Sequence, residues 1–306
     1  MTSVIRTPPV LSTARLDALP WAHASGPFRA IAHDFVVRTC DPALGEYLGA
    51  VLDPLSVDGQ AGDGLDTSRA YSVLDRGDAA KNRYALYFGR ERLALTPSGS
   101  FVVATLLWHV NRRAVESGDG YVLVHAGAVE WDGRAVLFPA PMESGKTTLV
   151  AGLVRAGARY LSDEAAAIDP ETLRVHPFPK SLTVGAGSWE VLADLTPDVD
   201  PEVTRRYLLT EWHVDARTIR PDAIAPPTAP AFVIAPRYER DAGTALSPMT
   251  RAQAVMEMGQ NSFNLSHHGR RGVEVLAMVA RRSTCHRLVV GDLDVACALL
   301  RDVLST

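Results

Sequence analysis

The residues best suited to chemistry lie in AVLFPAPMESGKTTL, positions 135–149. Gly145-Lys146-Thr147 closes a short loop after an apolar run and opens a stretch of helical spacing. Loops of this kind bind phosphate through backbone N–H groups that curl around its oxygens and through the positive end of the following helix. The lysine then spans the terminal phosphates of a nucleotide, and the hydroxyl after it ligates Mg²⁺. Glu143, Ser144, Gly145, Lys146, Thr147 and Thr148 form the candidate nucleotide-binding set. Two features depart from the usual G-x-x-x-x-G-K-[ST] pattern. Ala140 stands where the first glycine belongs, and Glu143 puts a carboxylate in a loop meant for anions. Repulsion of phosphate by that charge predicts that Glu143 faces solvent.

Two further stretches carry polar groups toward this loop. RYLSDEAAAI (159–168) reads as one strand with Asp163 and Glu164 in mid-run, on opposite faces. Phosphoryl transfer requires a metal site to offset developing charge and a base to orient the attacking hydroxyl. One carboxylate of the pair could serve each need. His125 lies in YVLVHAGAVEWDGRAVLFPAP, whose Asp132-Gly133 is a strong hairpin signal. The histidine strand then pairs with the strand that delivers the loop. A lone strand histidine is as often structural as chemical, but here pairing brings its ring toward the phosphates.

The elements that position these groups can be read from pattern. TTLVAGLVRAG reads as a helix stopped by Gly157, and DPETLRVHPFPKSLTV as a turn and then a proline-interrupted edge. AFVIAPRY is a buried strand, SPMTRAQAVMEMGQNSF a helix and GDLDVACALLRDVLS a C-terminal helix. Residues 27–107 mix strands with a helix capped by Asp41 and started by Pro42. SVDGQAGDGLDTS reads as a polar loop, and the first twenty residues as a loosely docked arm. The expected division is an α+β region over 1–115, which could dock a substrate, and a catalytic domain over 116–306.

Bulk properties narrow the class. The chain has 306 residues, 47% hydrophobic and 22% charged, with a net charge of −4. That is ordinary globular composition, without the basic excess of a nucleic-acid binder. The single dense basic run, His267, His268, Arg270 and Arg271, reads as a solvated loop. Cys40, Cys285 and Cys297 are few, odd in number and scattered, which fits reduced thiols and a cytoplasmic setting. No apolar run approaches the roughly 20 residues that span a bilayer, and the N-terminus lacks a signal-peptide layout.

The order of these motifs resembles the HPr kinase/phosphorylase family. Its catalytic domains run from a His-Gly strand through a hairpin and a phosphate loop to a helix ending in glycine and a strand with paired aspartates. Here the corresponding residues are His125-Ala126-Gly127, PMESGKTT and LVRAGARYLSDE. The resemblance is closer to HPr kinase-related proteins of bacterial gene clusters, which show P-A-P-x-x-x-G-K-[ST]-T and a YLSDE-like strand, and it extends over about residues 95–306. It implies an α/β fold with a phosphoenolpyruvate-carboxykinase-like core and a P-loop, binding ATP and Mg²⁺. The implied activity is transfer of the γ-phosphoryl group to a serine or threonine hydroxyl of a peptide or small protein. Asp163 would be the base, Glu164 the Mg²⁺ ligand with Thr147, and His125 the histidine near the phosphates. Arg251 falls near the family's late arginine region, which contributes to phosphate handling, and Lys180 in FPKSL and Arg237 in APRY recur as basic positions in look-alikes; the three are the candidate substrate or phosphate contacts. Asp-Glu replaces the family's Asp-Asp, and its HPr-specific C-terminal helix pattern is absent, so HPr is not the expected acceptor. By analogy with kinases of peptide-biosynthetic clusters, a PqqD-like peptide-binding protein is a candidate partner and a homo-oligomer a candidate assembly. A small-metabolite kinase and a non-catalytic nucleotide sensor remain alternatives.

Overall fold

The structure is a computed structural model, and it describes residues 10–58, 67–77, 80–208 and 210–305. The N-terminal segment before residue 10 and most of the glycine-rich stretch SVDGQAGDGLDTS lie outside the described residues. The protein is mixed α/β and divides into two units. One comprises residues 1–29, 34–111 and 199–209; the other comprises 30–33, 112–198 and 210–306. Each unit therefore draws on separate stretches of chain on either side of residue 115.

Apart from Ala30 and His33, the first unit holds α1 (Thr13–Asp17), β1 (His23–Ala30), β2 (His33–Thr39), α2 (Pro42–Leu52), β3 (Ala70–Asp75), β4 (Tyr84–Phe88) and β5 (Glu91–Thr96). Residues 99–111 of α3 (Gly99–Ser117) also belong to it. Its sheet runs β1-β2-β3-β4-β5; β2 and β3 pair parallel, while β4 pairs antiparallel with both β3 and β5. Helix α2 starts as its sequence requires: the Asp41 carboxylate accepts from Ala43 N and Leu44 N, and Pro42 takes the first position, where no N–H is needed.

The second unit carries the candidate chemistry. Its elements begin with β6 (Val122–Trp131), β7 (Arg134–Pro139), α4 (Lys146–Arg155), β8 (Arg159–Ser162), β9 (Ala165–Ile168), β10 (Val175–His176) and β11 (Leu182–Gly185). After α5 (Pro201–Tyr207), which belongs to the first unit, come β12 (Glu211–Val214), α6 (Ala216–Ile219), β13 (Pro230–Tyr238) and β14 (Ala245–Pro248). Then α7 (Arg251–Gln260), α8 (Leu265–Arg282), β15 (Thr284–Val290) and α9 (Leu293–Leu304) complete the chain. An eight-stranded mixed sheet runs β10-β9-β6-β7-β13-β15-β14, with β8 also paired to β6. The β11–β12 pair stands apart from it.

Alternation along the central strands supplies two apolar faces. Val129, Val136 and Phe138 pack with α4 and α9 on one side. Val124, Ala126 and Leu137 pack with α7 and α8 on the other. Burial on both faces makes these central strands nearly continuous apolar runs. The Asp132-Gly133 turn forms as expected, with both residues at positive φ, and joins β6 to β7 antiparallel.

Three expectations change. The first twenty residues are not wholly a loosely docked arm: Thr13–Asp17 is helical and Leu16 is fully buried. RYLSDEAAAI is not one strand. Ser162 Oγ accepts hydrogen bonds from the backbone of Glu164 (3.1 Å) and Ala165 (3.0 Å). This captures the two N–H groups locally and breaks the ladder between β8 and β9. Asp163 and Glu164 thus sit at a junction, where β6 passes from one partner to the next. The His267–Arg271 run is not a loop but part of α8, bent at Gly269 (φ 52). His268 Nε2 lies 2.9 Å from Tyr121 O, and Arg271 donates to Pro170 O and Glu171.

Candidate functional site

The loop 140–145 connects the end of β7 to the start of α4. Ala140 is buried and is not among the residues at positive φ. The two positions that adopt the left-handed region are Glu143 (φ 60) and Gly145 (φ 84), the N-cap of α4. A glycine at position 140 is therefore not required by the backbone path, whereas Gly145 sits where a side chain costs most. Glu143 is exposed.

Lys146 folds back into this loop. Its Nζ donates to Ala140 O at 3.0 Å and Pro141 O at 2.6 Å, and lies 3.4 Å from Ser144 Oγ. The residue is only 5% exposed, and burial pulls its pKa down to about 8, opposed by the negative charges of Glu164 and Asp163. Oxygens of the loop thus surround the ammonium.

Asp163 is the centre of a tight cluster. Its Oδ1 accepts from the Tyr160 hydroxyl at 2.7 Å and from Lys180 Nζ at 2.7 Å. Its Oδ2 accepts from Thr147 Oγ1 at 3.0 Å and from Thr183 N at 3.5 Å. The carboxylate and its Lys180 partner are both buried, so their attraction is little screened by solvent. Beside Asp163, the Tyr160 phenol is fully buried, and burial raises its pKa well above the ordinary value. Next to Thr147, the Thr148 hydroxyl lies 2.6 Å from Ser188 Oγ, which ties the start of α4 to the segment after β11.

Glu164 has a different environment. Its carboxylate lies 4.0 Å from His125 Nε2 and is about one third exposed, and it makes no hydrogen bond among the described residues. Burial raises its pKa, with Lys180 acting against the rise. His125 holds its place through its backbone, which donates to Asn261 O at 2.7 Å, while its ring lies against Phe263. Burial, helped by Lys146, lowers its pKa to about 4, so it is neutral at ordinary pH. His213, on β12, is also buried, with a pKa lowered to about 4 by burial and then by the charge of Lys180.

The structure therefore gathers Lys146, Thr147, Asp163, Glu164, His125 and Lys180. Lys180, which the sequence places among groups for phosphate or substrate, is engaged with Asp163 instead. Arg237 is 79% exposed and pairs with Glu239 at 2.9 Å. Arg251 starts α7 and has no hydrogen bond or ion pair with the cluster among the described residues. Tyr160, Thr183, Ser188, His213 and Phe263 join the cluster without having stood out in the sequence. Tyr160 offered a signal, three residues before Asp163 at a strand end; Thr183 follows Lys180 closely, and the others arrive from further along the chain.

Among the described residues no three His, Cys, Asp or Glu side chains gather as a metal cage, and all three cysteines are unpaired. No helix among them is long and apolar enough to cross a membrane. No protein-family model matches the chain, and no curated protein matches it.

Proposed function

We propose that the protein is an ATP- and Mg²⁺-dependent kinase that phosphorylates a serine or threonine hydroxyl of a peptide or small protein. On this reading the second unit is the phosphoenolpyruvate-carboxykinase-like core of the HPr kinase-related group, and 140–148 is its P-loop. The observation that carries the reading is the bond from Thr147 to Asp163. A threonine at a helix start, one residue after a buried lysine, donates a hydrogen bond to an acidic residue at a strand end. Its oxygen lone pairs are then left for a cation.

The residues present fit Mg²⁺. This ion keeps several waters and takes one or two protein oxygens plus phosphate oxygens rather than a full protein cage. The Thr147 hydroxyl, oriented by its hydrogen bond to Asp163 and joined by waters and phosphate oxygens, matches that donor set, which needs no protein cage. When bound, the ion would offset charge on the transferring phosphoryl group. Lys146 would exchange the Ala140 and Pro141 carbonyls for phosphate oxygens, and the N–H groups at the start of α4 would complete the cradle.

The test is Lys146→Ala. A buried ammonium that pairs with phosphate contributes several kcal/mol, so affinity for a fluorescent ATP analogue should fall by at least about 100-fold. Mass spectrometry of peptides and proteins encoded beside this gene, after incubation with protein and ATP, should show a gain of one phosphoryl group. Unchanged affinity in the variant would sink the reading.

A further inference from the structure

The two adjacent carboxylates have different capacities to accept another proton donor. An ionised carboxylate offers about four lone-pair sites. Asp163 has four donors on them: Tyr160 and Lys180 on Oδ1, Thr147 and Thr183 N on Oδ2. Three of the four distances are 3.0 Å or less. An acceptor hydroxyl could bond to Asp163 only by displacing one of them, and on Oδ1 that would strip the buried Tyr160 hydroxyl or the buried Lys180 ammonium of its carboxylate. Such a loss costs about 1–3 kcal/mol, more for a charged group.

Glu164 presents the opposite case. Its side chain keeps one third of its surface open, makes no hydrogen bond among the described residues, and has the His125 ring at 4.0 Å. Its backbone is fixed by the Ser162 turn and by the bond from Ala126 N to Glu164 O (3.3 Å). The backbone is thus held in place while the carboxylate oxygens stay available.

We propose that Glu164 is the catalytic residue that takes the acceptor's proton, and that Asp163 is a positioning residue that fixes Thr147. This exchanges the roles expected from the order of the pair, and it rests on the kinase reading above. In the step, an oxygen lone pair of the acceptor hydroxyl forms the new bond to the γ-phosphorus. The bond between that phosphorus and the β–γ bridging oxygen breaks, and its electron pair leaves on the nucleoside diphosphate. The hydroxyl proton passes to a Glu164 carboxylate oxygen. Lys180 takes no part in transfer: it offsets the Asp163 charge and keeps that carboxylate turned to Thr147.

The test uses the full chain with Mg·ATP as probe and water as acceptor. Fluorescent-nucleotide binding with and without Mg²⁺ is measured beside release of γ-labelled phosphate, in Glu164→Gln, Glu164→Asp and Asp163→Asn. Glu164→Gln should bind Mg-nucleotide within about threefold of wild type while phosphate release falls about 10²- to 10⁴-fold, the usual contribution of a general base. Glu164→Asp, which keeps the charge but retracts it by one methylene, should also bind normally and turn over slowly; circular dichroism checks that both fold. Asp163→Asn should lose at least about tenfold of the Mg²⁺-dependent part of the affinity. The proposal is overturned if Glu164→Gln keeps its turnover, or if it loses Mg²⁺-dependent binding while Asp163→Asn keeps it. A wild-type protein that binds no nucleotide overturns the kinase reading itself, and that result is visible before any carboxylate variant is made.

Discussion

At the scale of single residues, burial decides charge state. His213 is 4% exposed on its side chain and faces Lys180, so its imidazole stays neutral down to about pH 4. In the unfolded chain the same group binds its proton near 6.5. The folded pKa is lower, so the unfolded state carries the extra proton between these two values. Stability from this group is complete above about 6.5 and is lost as pH falls toward 4, with no further loss below both values. At pH 4.5 the deficit is about 2.5 kcal/mol. Replacing His213 by Asn should remove about that much from the difference in urea-unfolding free energy between pH 7 and 4.5. An unchanged difference would mean that His213 is protonated in the fold. This histidine was not legible as part of the cluster, because β12 lies far along the chain from Lys180 and Asp163. The loop residues stood out as candidates because Gly145, Lys146 and Thr147 are adjacent in sequence. Ala140 shows the limit of such matching: the motif asks for glycine, but this backbone takes its left-handed turns at Glu143 and Gly145 instead.

At the scale of elements, the approach of α4 to the sheet sets where Lys146 and Thr147 stand. Gly127 on β6 makes that approach possible: a Cβ there would meet Val150 Cγ2 at 2.8 Å. Gly127→Ala should push α4 outward and cost about 1–3 kcal/mol by overpacking. It should also weaken nucleotide binding. Adding Val150→Ala removes the clashing methyls, so the double variant should be more stable than the sum of the two single losses. Additive losses in urea unfolding would show that the contact does not set the spacing. The hairpin and α4 could be read from sequence because each declares itself locally, through Asp132-Gly133 and through Gly157 at φ 119. The break between β8 and β9 could not. The residues around it keep a strand-like apolar pattern, and the interruption is made by one serine side chain turning onto the backbone. Helix α8 was hidden for the opposite reason. Its first turns are dense with His and Arg, which reads as solvated loop, while its apolar contacts, Val275, Leu276 and Val279, come later.

At the scale of the whole molecule, the units are stitched by chain exchange rather than by a linker. Helix α5 comes from a segment between β11 and β12 of the second unit, yet it packs on α2 of the first. Its Tyr207 hydroxyl donates to Asp41 Oδ2 at 2.6 Å, while Oδ1 of the same carboxylate caps α2. Burial raises the Tyr207 pKa far above its ordinary value, so the phenol remains a donor at any working pH. A division near residue 115 was expected from the sequence, but an eleven-residue exchange was not, because its cue is a tertiary contact between positions more than 150 apart. The consequence is testable by truncation. A fragment of residues 116–306 would keep α5 without α2, leaving Val203 and Tyr207, buried in the intact chain, open to water. Exposing two such side chains forfeits about 1.5–3 kcal/mol each and presents an apolar patch. The fragment should therefore melt lower and associate on size-exclusion chromatography. A matched fragment in which 199–209 is replaced by a Gly-Ser segment of equal length should recover both properties in part. Equal behaviour of the two would mean that α5 has no stabilising partner in the first unit.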